Sequence, residues 1–298
     1  MTDLSNPLIK NRRAELLLLL VITIWAANYP LAKYGIGGIN MFVFNGIRYV
    51  VAALVLGGAL LGQARWRPIA RSDWMGLLRA GAIANIVYQV AFIIGLSMTT
   101  AGNSAVILAT SPLWTFYLSS KMHREIVPGQ VWLGMGISLT GIALITIGGA
   151  TGLAIARETM LGDLICLVAA FLWALSTNLQ KPLLVRNSPE QVSLVMVGVG
   201  SVGLTLIAIP DAVAMSWSDV HWSYYAAAVM SGAASIGIAN LFWSYGVQRL
   251  GPGRTGMFSN LTPALALFLS YVTIREELSV LQITGAAVTL FGIWYARR

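Results

Sequence analysis

Aromatic side chains stand beside amides and hydroxyls in four apolar blocks of the sequence. In the first block, Trp25, Asn28 and Tyr29 have the spacing of three and four that places residues on one face of a helix. At about 1.5 Å per residue, Trp25 would lie about 15 Å from the start of that helix, near its middle. Such a face can stack a flat or apolar group on its rings while its amides and hydroxyls bind an ammonium or a carboxylate. The candidate binding residues defined in this way are Trp25, Asn28, Tyr29, Asn85, Tyr88, Gln89, Trp173, Ser176, Thr177, Asn240, Trp243 and Ser244.

The same residue types also have structural uses in packed helices. Asn, Ser and Thr bond between neighbouring helices, and Trp and Tyr fill space between them. For any one of these residues, both interpretations stay open. The repetition of the set on equivalent faces of paired blocks favours a cavity.

One basic residue and three prolines also lie within the apolar blocks. Arg48 could contact a carboxylate of a bound molecule or have a structural role at helix-end carbonyls. The structural role is favoured, because no acidic residue stands at a comparable depth and the second helix is predicted to be peripheral. Pro30, Pro112 and Pro263 each remove a backbone N–H within a block and predict helix kinks there.

The residue types that catalysis or metal binding needs do not occur together in this sequence. His123 and His221 fall between the blocks, and Cys166 stands alone in an apolar run. The acidic residues lie at block ends or in loops, so a proton-coupled mechanism lacks its usual carrier. We therefore predict no enzyme activity, no cofactor and no metal site.

Composition identifies the solvent around these blocks. The 298 residues are 57% hydrophobic and 10% charged, whereas about 25% charged residues is usual for a soluble domain. Blocks of about twenty apolar residues have the length that crosses a bilayer as a helix. The sequence thus predicts an all-α membrane protein with ten transmembrane helices, at Glu15–Ile36, Ile39–Leu61, Trp74–Met98, Asn103–Ser120, Val131–Gly149, Leu161–Lys181, Val192–Pro210, Tyr224–Val247, Thr255–Val272 and Val280–Tyr295.

The basic residues indicate orientation. The chain carries a formal charge of +8, but its Lys and Arg lie between the blocks and form no continuous stripe, which argues against a nucleic-acid partner. Most of the 19 basic residues fall on one side when successive connections alternate across the bilayer. The positive-inside rule then places both termini in the cytoplasm of a multi-pass protein of the cell (inner) membrane.

The two halves of the sequence repeat each other. Residues 151 apart match in the later blocks, where Ser111-Pro112 corresponds to Thr262-Pro263 and Gly134 to Gly285. Residues 148 apart match in the first and sixth blocks, as Trp25 does with Trp173. We predict a five-helix repeat over residues 1–149 and a second over 150–298. Because five is odd, the second repeat is inverted, an arrangement typical of secondary transporters.

These features resemble the drug/metabolite transporter superfamily in its ten-helix EamA-type branch. The resemblance rests on three features. The first and sixth helices each contain a segment that begins with Trp-Ala and ends with Lys, at Trp25–Lys33 and Trp173–Lys181. The others are the segment Phe44–Tyr49 and the two Pro-containing units that end in Arg124-Glu125 and Arg275-Glu276. The resemblance covers essentially the whole chain, and the aromatic amino-acid exporters of this superfamily look similar to this chain. It implies a transporter that moves amino acids or related metabolites.

The expected function is export of aromatic and other neutral amino acids by alternating access, through facilitated diffusion or exchange. The expected partners are a small-molecule substrate and the lipid bilayer. Multidrug or organic-cation efflux by proton antiport is the alternative, and export of another small metabolite is a further one.

Overall fold

The computed structural model describes residues 7–61, 68–99, 101–148, 159–274 and 278–297. These residues form helices joined by short connections and contain no strand. The helical segments follow the predicted blocks, and the predicted all-α membrane fold is confirmed. They are α1 (Pro7–Ile36), α2 (Met41–Leu61), α3 (Arg71–Ala82, Ile83–Val87 and Tyr88–Met98), α4 (Ala101–Leu108 and Ser111–Met122), α5 (Gly129–Ile147), α6 (Met160–Arg186), α7 (Pro189–Ala214), α8 (Trp222–Ser231, Gly232–Ile238 and Ala239–Leu250), α9 (Pro252–Met257, Phe258–Asn260 and Leu261–Ile274) and α10 (Val280–Arg297).

The apolar faces of these helices require a hydrocarbon solvent. Within the described residues, six of the helices (α2, α3, α5, α6, α7 and α8) are long and apolar enough to cross a membrane. Leu54 of α2 is 70% exposed and Val202 of α7 is 64% exposed. Exposed side chains of this kind are solvated by lipid tails rather than by water.

Four of the segments depart from a regular α-helix, in two matching pairs. In α3 and α8 the departures are π-helical turns at Ile83–Val87 and Gly232–Ile238, which overlap when residues 151 apart are compared. The other two are α4, which stops at Leu108 and restarts at Ser111, and α9, which passes through a 3-10 turn at Phe258–Asn260. Irregular backbone of this type is tolerated at membrane depth only where protein or a water-filled cavity supplies partners.

The chain forms two compact units. The first unit contains Met1–Ile86 and Leu179–Arg249, and the second contains Val87–Asn178 and Leu250–Arg298. Each unit combines helices from both predicted repeats, with α1, α2, α7 and α8 in the first and α4, α5, α9 and α10 in the second. The boundaries within α3 and α6 divide these two helices between the units.

In the second unit, α5 and α10 pack closely along two pairs of glycines. A Cβ on Gly134 would lie 2.6 Å from the Gly292 carbonyl oxygen, and a Cβ on Gly141 would lie 2.6 Å from that of Gly285. Gly134 of α5 corresponds to Gly285 of α10, and Gly141 of α5 corresponds to Gly292 of α10. The Gly134–Gly292 contact is therefore equivalent to the Gly285–Gly141 contact, with α5 and α10 exchanged. The Thr289 hydroxyl donates to the carbonyl of Ser138, its own counterpart 151 residues earlier, at 3.4 Å. The two helices are therefore antiparallel and related by a local two-fold axis.

The first unit contains similar reciprocal contacts. Gly81 of α3 meets Met196 of α7, where a Cβ would lie 2.9 Å from the Met196 Cα. Gly232 of α8 meets Arg48 of α2, where a Cβ on Gly232 would lie 2.9 Å from the Arg48 Cα. Gly232 follows Gly81 by 151 residues and Met196 follows Arg48 by 148, so the two contacts are equivalent. Small residues of this kind let helix backbones approach closely in lipid.

We expect Gly141→Ala to lower the free energy of unfolding by about 1–3 kcal/mol, the usual cost of overpacking. The added methyl would meet the backbone of Gly285 and Thr289, which cannot rotate away. Unfolding in mixed micelles measures the loss. The control is Gly136→Ala on the same helix, where a Cβ would meet open space and stability should hold or rise. Equal stability of the two variants would contradict the close helix pair.

Candidate functional site

The first unit brings Trp25 of α1 against α8. The Trp25 and Trp243 rings lie 5.1 Å apart between centroids, with their planes tilted by 40°. The Trp25 indole Nε1 donates to the Ser235 carbonyl oxygen at 3.2 Å. Trp243 is 1% exposed, whereas Trp25 is half-buried. Of this pair, Trp25 is the ring that a bound molecule could contact.

The π-helical turn explains why Ser235 can accept this bond. In a regular α-helix the Ser235 carbonyl would receive the N–H of Ala239. Here the Ala239 N–H donates to Ala234, one residue further back, so the Ser235 carbonyl loses its helical donor. The Trp25 indole replaces that donor. Turns of this type often occur at functional sites.

Asn28 lies one turn along α1 from Trp25 and also contacts α8. Its Oδ1 accepts a hydrogen bond from the Ser231 hydroxyl at 2.5 Å, and its side chain is half-buried. Tyr29 and Pro30 lie in α1, but their side chains are outside the described part of the structure. Trp25 and Asn28 thus form the described part of the predicted α1 face.

The other candidates of the first unit make bonds between helices. Ser244 is buried and donates to Gln180 Oε1 at 3.1 Å, while Ser193 donates to Ser244 at 2.9 Å. Asn240 is half-buried, and its backbone carbonyl lies 3.5 Å from the Ser193 hydroxyl. These bonds join α6, α7 and α8.

Asn85 has a similar structural setting on α3. It is 5% exposed, accepts from the Tyr49 hydroxyl at 3.2 Å and donates to the Met196 carbonyl at 2.9 Å. Its amide therefore ties α2, α3 and α7 together.

In the second unit, Trp173 of α6 packs against α3. The Tyr88 ring lies 5.3 Å from Trp173 and 6.1 Å from Phe92, and all three side chains are half-buried. Gln89, next to Tyr88, is also half-buried. This group corresponds in the repeat to Trp25 and Trp243, because Trp173 follows Trp25 by 148 residues and Phe92 precedes Trp243 by 151. Each unit thus has an aromatic contact between a helix of one repeat and a helix of the other.

The hydroxyls predicted beside Trp173 bond within α6. Ser176 and Thr177 are each 1% exposed, and both donate to the Trp173 carbonyl, at 2.8 and 3.0 Å. Sequence reasoning did not include Trp114, whose ring stands edge-on to Phe171 at 5.7 Å, or Ser231 and Ser235 on α8. The serine positions depend on the π-helical turn, which no residue pattern identifies.

Of the three prolines predicted to kink helices, Pro112 and Pro263 stand near breaks, whereas Pro30 lies within the uninterrupted α1. Pro112 is in the first turn of the second α4 segment, where its missing N–H costs no helical bond. Pro263 is the third residue of the last α9 segment. Pro182, inside α6, removes the donor that Asn178 O would otherwise receive, and His123 Nε2 lies 3.1 Å from that oxygen. A ring N–H of His123 can supply the missing donor.

Two acidic side chains of the described helices, Asp73 and Asp163, have polar partners. Asp73 is 1% exposed, forms an ion pair with Arg186 at 2.8 Å and accepts from Asn187 at 3.0 Å. Asp163 accepts from the hydroxyls of Thr99 and Thr159. Within the described residues, no group of three or more His, Cys, Asp or Glu side chains could hold a metal ion.

Comparison with known proteins gives the family. The EamA-like transporter family matches residues 12–147 and 160–298. The chain belongs to this family. It is therefore a multi-pass membrane transporter of the drug/metabolite transporter superfamily and not an enzyme, as the sequence predicted.

Named relatives are distant but match almost the whole chain. An uncharacterised transporter of Bacillus subtilis (strain 168), YyaM, is 22% identical over 90% of this chain and 88% of its own. A probable terminal-alkyne amino-acid exporter of Streptantibioticus cattleyicolor is 25% identical over 97% of this chain and 95% of its own. A solved crystal structure with 19% identity superposes with a TM-score of 0.81 over 95% of both chains, which shows the same fold.

We expect Asn85→Ala to lower the free energy of unfolding by about 1–3 kcal/mol, because it leaves the buried Tyr49 hydroxyl without its Asn85 acceptor and removes the bond to the Met196 carbonyl. Tyr49→Phe removes the hydrogen bond to Asn85 Oδ1 and keeps the Asn85 bond to Met196, so it should cost about 1 kcal/mol. Unfolding in mixed micelles measures both. A stability of Asn85→Ala equal to that of the unmodified protein would contradict the structural role.

Proposed function

We propose that the protein exports neutral amino acids, aromatic ones among them, across the cell (inner) membrane by alternating access. One observation carries the proposal. In each unit a half-buried tryptophan from the first helix of a repeat packs on an aromatic ring of the other repeat, with an amide side chain nearby. Trp25 with Asn28 forms one such group, and Trp173 with Tyr88 and Gln89 forms the other.

The chemistry of these groups suits a zwitterion with an apolar side chain. Indole and phenol rings offer flat surfaces to an aromatic or aliphatic group and attract an ammonium through their π faces. Amide oxygens and the backbone carbonyls of the π-helical turns offer hydrogen-bond acceptors. The relative whose name specifies a terminal-alkyne amino-acid exporter supports an amino-acid substrate and the outward direction.

The repeat relationship supports alternating access. Two inverted copies of one structure can exchange conformations and open a central site to each side in turn. The reciprocal glycine contacts in both units are consistent with copies that pack in the same way. Most basic residues fall on one side in the predicted topology, which supports cytoplasmic termini by the positive-inside rule.

Substrate gradients drive the proposed flux by facilitated diffusion or exchange. The buried carboxylate of Asp73 has an arginine partner and the carboxylate of Asp163 accepts two hydroxyls, so neither is a free proton carrier. This distinguishes the proposal from proton-coupled cation efflux.

Trp25→Ala should reduce the initial rate of phenylalanine exchange in proteoliposomes at least about fivefold, since lost aromatic contacts are worth about 1 kcal/mol or more. Trp25→Phe, which keeps a ring, should retain part of the rate. The control is Trp132→Ala on α5, where a 38% exposed ring lies outside the proposed groups and the rate should not change. The proposed binding group would be contradicted if only Trp132→Ala lost rate, or if Trp25→Ala and Trp132→Ala both kept the full rate.

An imposed pH gradient should leave the rate of phenylalanine exchange unchanged, because the carboxylates of Asp73 and Asp163 have fixed partners. The measurement compares vesicles with and without the gradient at constant substrate. Acceleration by the gradient, together with competition from a lipophilic cation, would instead favour multidrug efflux. Absence of flux for phenylalanine, tryptophan, methionine and threonine alike would remove the amino-acid proposal.

A further inference from the structure

Arg48 is a buried cation with few hydrogen-bond partners in the part of the chain that the structure describes. It lies seven residues after the start of α2, about 10 Å along the helix, and is 8% exposed. Its Nη1 donates to Asn45 Oδ1 at 2.8 Å, and its Cζ lies 5.6 Å from the centre of the Phe44 ring. Its Nε is buried and has no hydrogen-bond partner among the described residues. A guanidinium has five N–H donors, of which the described part of the chain engages one.

No carboxylate in the described part of the chain forms an ion pair with Arg48. The nearest polar group, the Asn45 amide, is held in place because its Nδ2 donates to the Met41 carbonyl at 3.0 Å. Asn45 therefore neutralises no charge but orients the guanidinium. A buried charge without a counter-charge is costly in a low-dielectric environment. A ligand that supplies a carboxylate would remove that cost and use the free donors.

The position of Arg48 places it at the junction of three helices of the first unit. Its backbone packs on Gly232, the first residue of the π-helical turn of α8. The adjacent Ser231 bonds to Asn28. The Phe44 ring beneath the guanidinium packs on Gly35 of α1, where a Cβ would lie 2.6 Å from Phe44 Cζ. Since Asn28 and Gly35 are seven residues apart, they lie on the same face of α1.

We propose that Arg48 recognises the carboxylate of the transported molecule and so makes the transporter select amino acids over amines. This inference rests on the proposed function and assigns a residue to its carboxylate requirement. It differs from the structural role that the sequence favoured, and it is supported by the described residues, which give Arg48 one hydrogen bond and leave its buried Nε without a partner. The planar guanidinium suits bidentate binding of a carboxylate, which lysine cannot reproduce.

Competition for phenylalanine exchange in proteoliposomes tests the inference. Phenethylamine lacks only the carboxylate, and 3-phenylpropionate lacks only the ammonium. In the unmodified protein we expect 3-phenylpropionate to compete and phenethylamine to compete at least about tenfold more weakly, given the strength of charge-assisted hydrogen bonds. Arg48→Gln should reduce phenylalanine exchange at least about tenfold and abolish the preference for the acid. Arg48→Lys should keep the preference with a lower rate.

A second variant keeps the test decisive if Arg48→Gln does not fold. Asn45→Asp places a carboxylate beside Arg48, so the protein should be at least as stable as the unmodified one while losing competition by 3-phenylpropionate. Arg249→Gln, which removes an exposed cation over the Tyr245 ring, is the matched control and should leave the preference unchanged. An unaltered preference for the acid in both Arg48→Gln and Asn45→Asp would overturn the role of Arg48.

The two proposals fail in different ways. If the unmodified protein moves no amino acid but is stabilised against heat by 3-phenylpropionate, and Arg48→Gln loses this stabilisation, amino-acid export fails and the carboxylate role stands. If phenylalanine moves and the variants keep the same selectivity, the carboxylate role fails and export stands.

Discussion

The interior of a membrane offers a backbone polar group no partner except the protein itself, and this constraint governs the structure. Regular α-helices satisfy it along most of the chain. Each described departure from the α pattern needs a replacement donor or acceptor. The Ser235 carbonyl, left without its helical donor by the π-helical turn of α8, receives the Trp25 indole. The Asn178 carbonyl, which loses its donor at Pro182, lies within reach of His123. The irregular backbone therefore fixes the positions of side chains that would otherwise rotate freely.

Close helix packing is the second requirement, because lipid provides no hydrophobic force that drives helices together. Glycines supply it at matching positions in the two repeats. Gly141 meets Gly285 as Gly134 meets Gly292, and Gly81 meets α7 as Gly232 meets α2. One set of contacts thus appears twice, with the helices exchanged. Two copies of one packing arrangement can exchange conformations, which is what the proposed alternating access needs.

The helices and their pairing could be predicted from the sequence because both leave a signal in residue type. Apolar blocks of helical length define the segments, and matching residues such as Gly134 and Gly285 define the correspondence between halves. The roles of single polar residues could not be predicted in the same way. Asn85 and Asn28 look alike in sequence, but Asn85 bonds to a carbonyl 111 residues away, on α7, and is buried. Trp25 was predicted as a ring surface, whereas its bond to Ser235 depends on a π-helical turn that residue type does not indicate. Arg48 illustrates the same limit, because a buried arginine has the same sequence signal with or without a partner.

A thermal-unfolding screen of the purified protein against single amino acids and lipophilic cations tests the central claim most directly. A molecule that binds only the folded state raises the melting temperature. We predict a rise with phenylalanine, tryptophan and methionine and none with a lipophilic cation. A rise with the cation and with no amino acid would contradict the account.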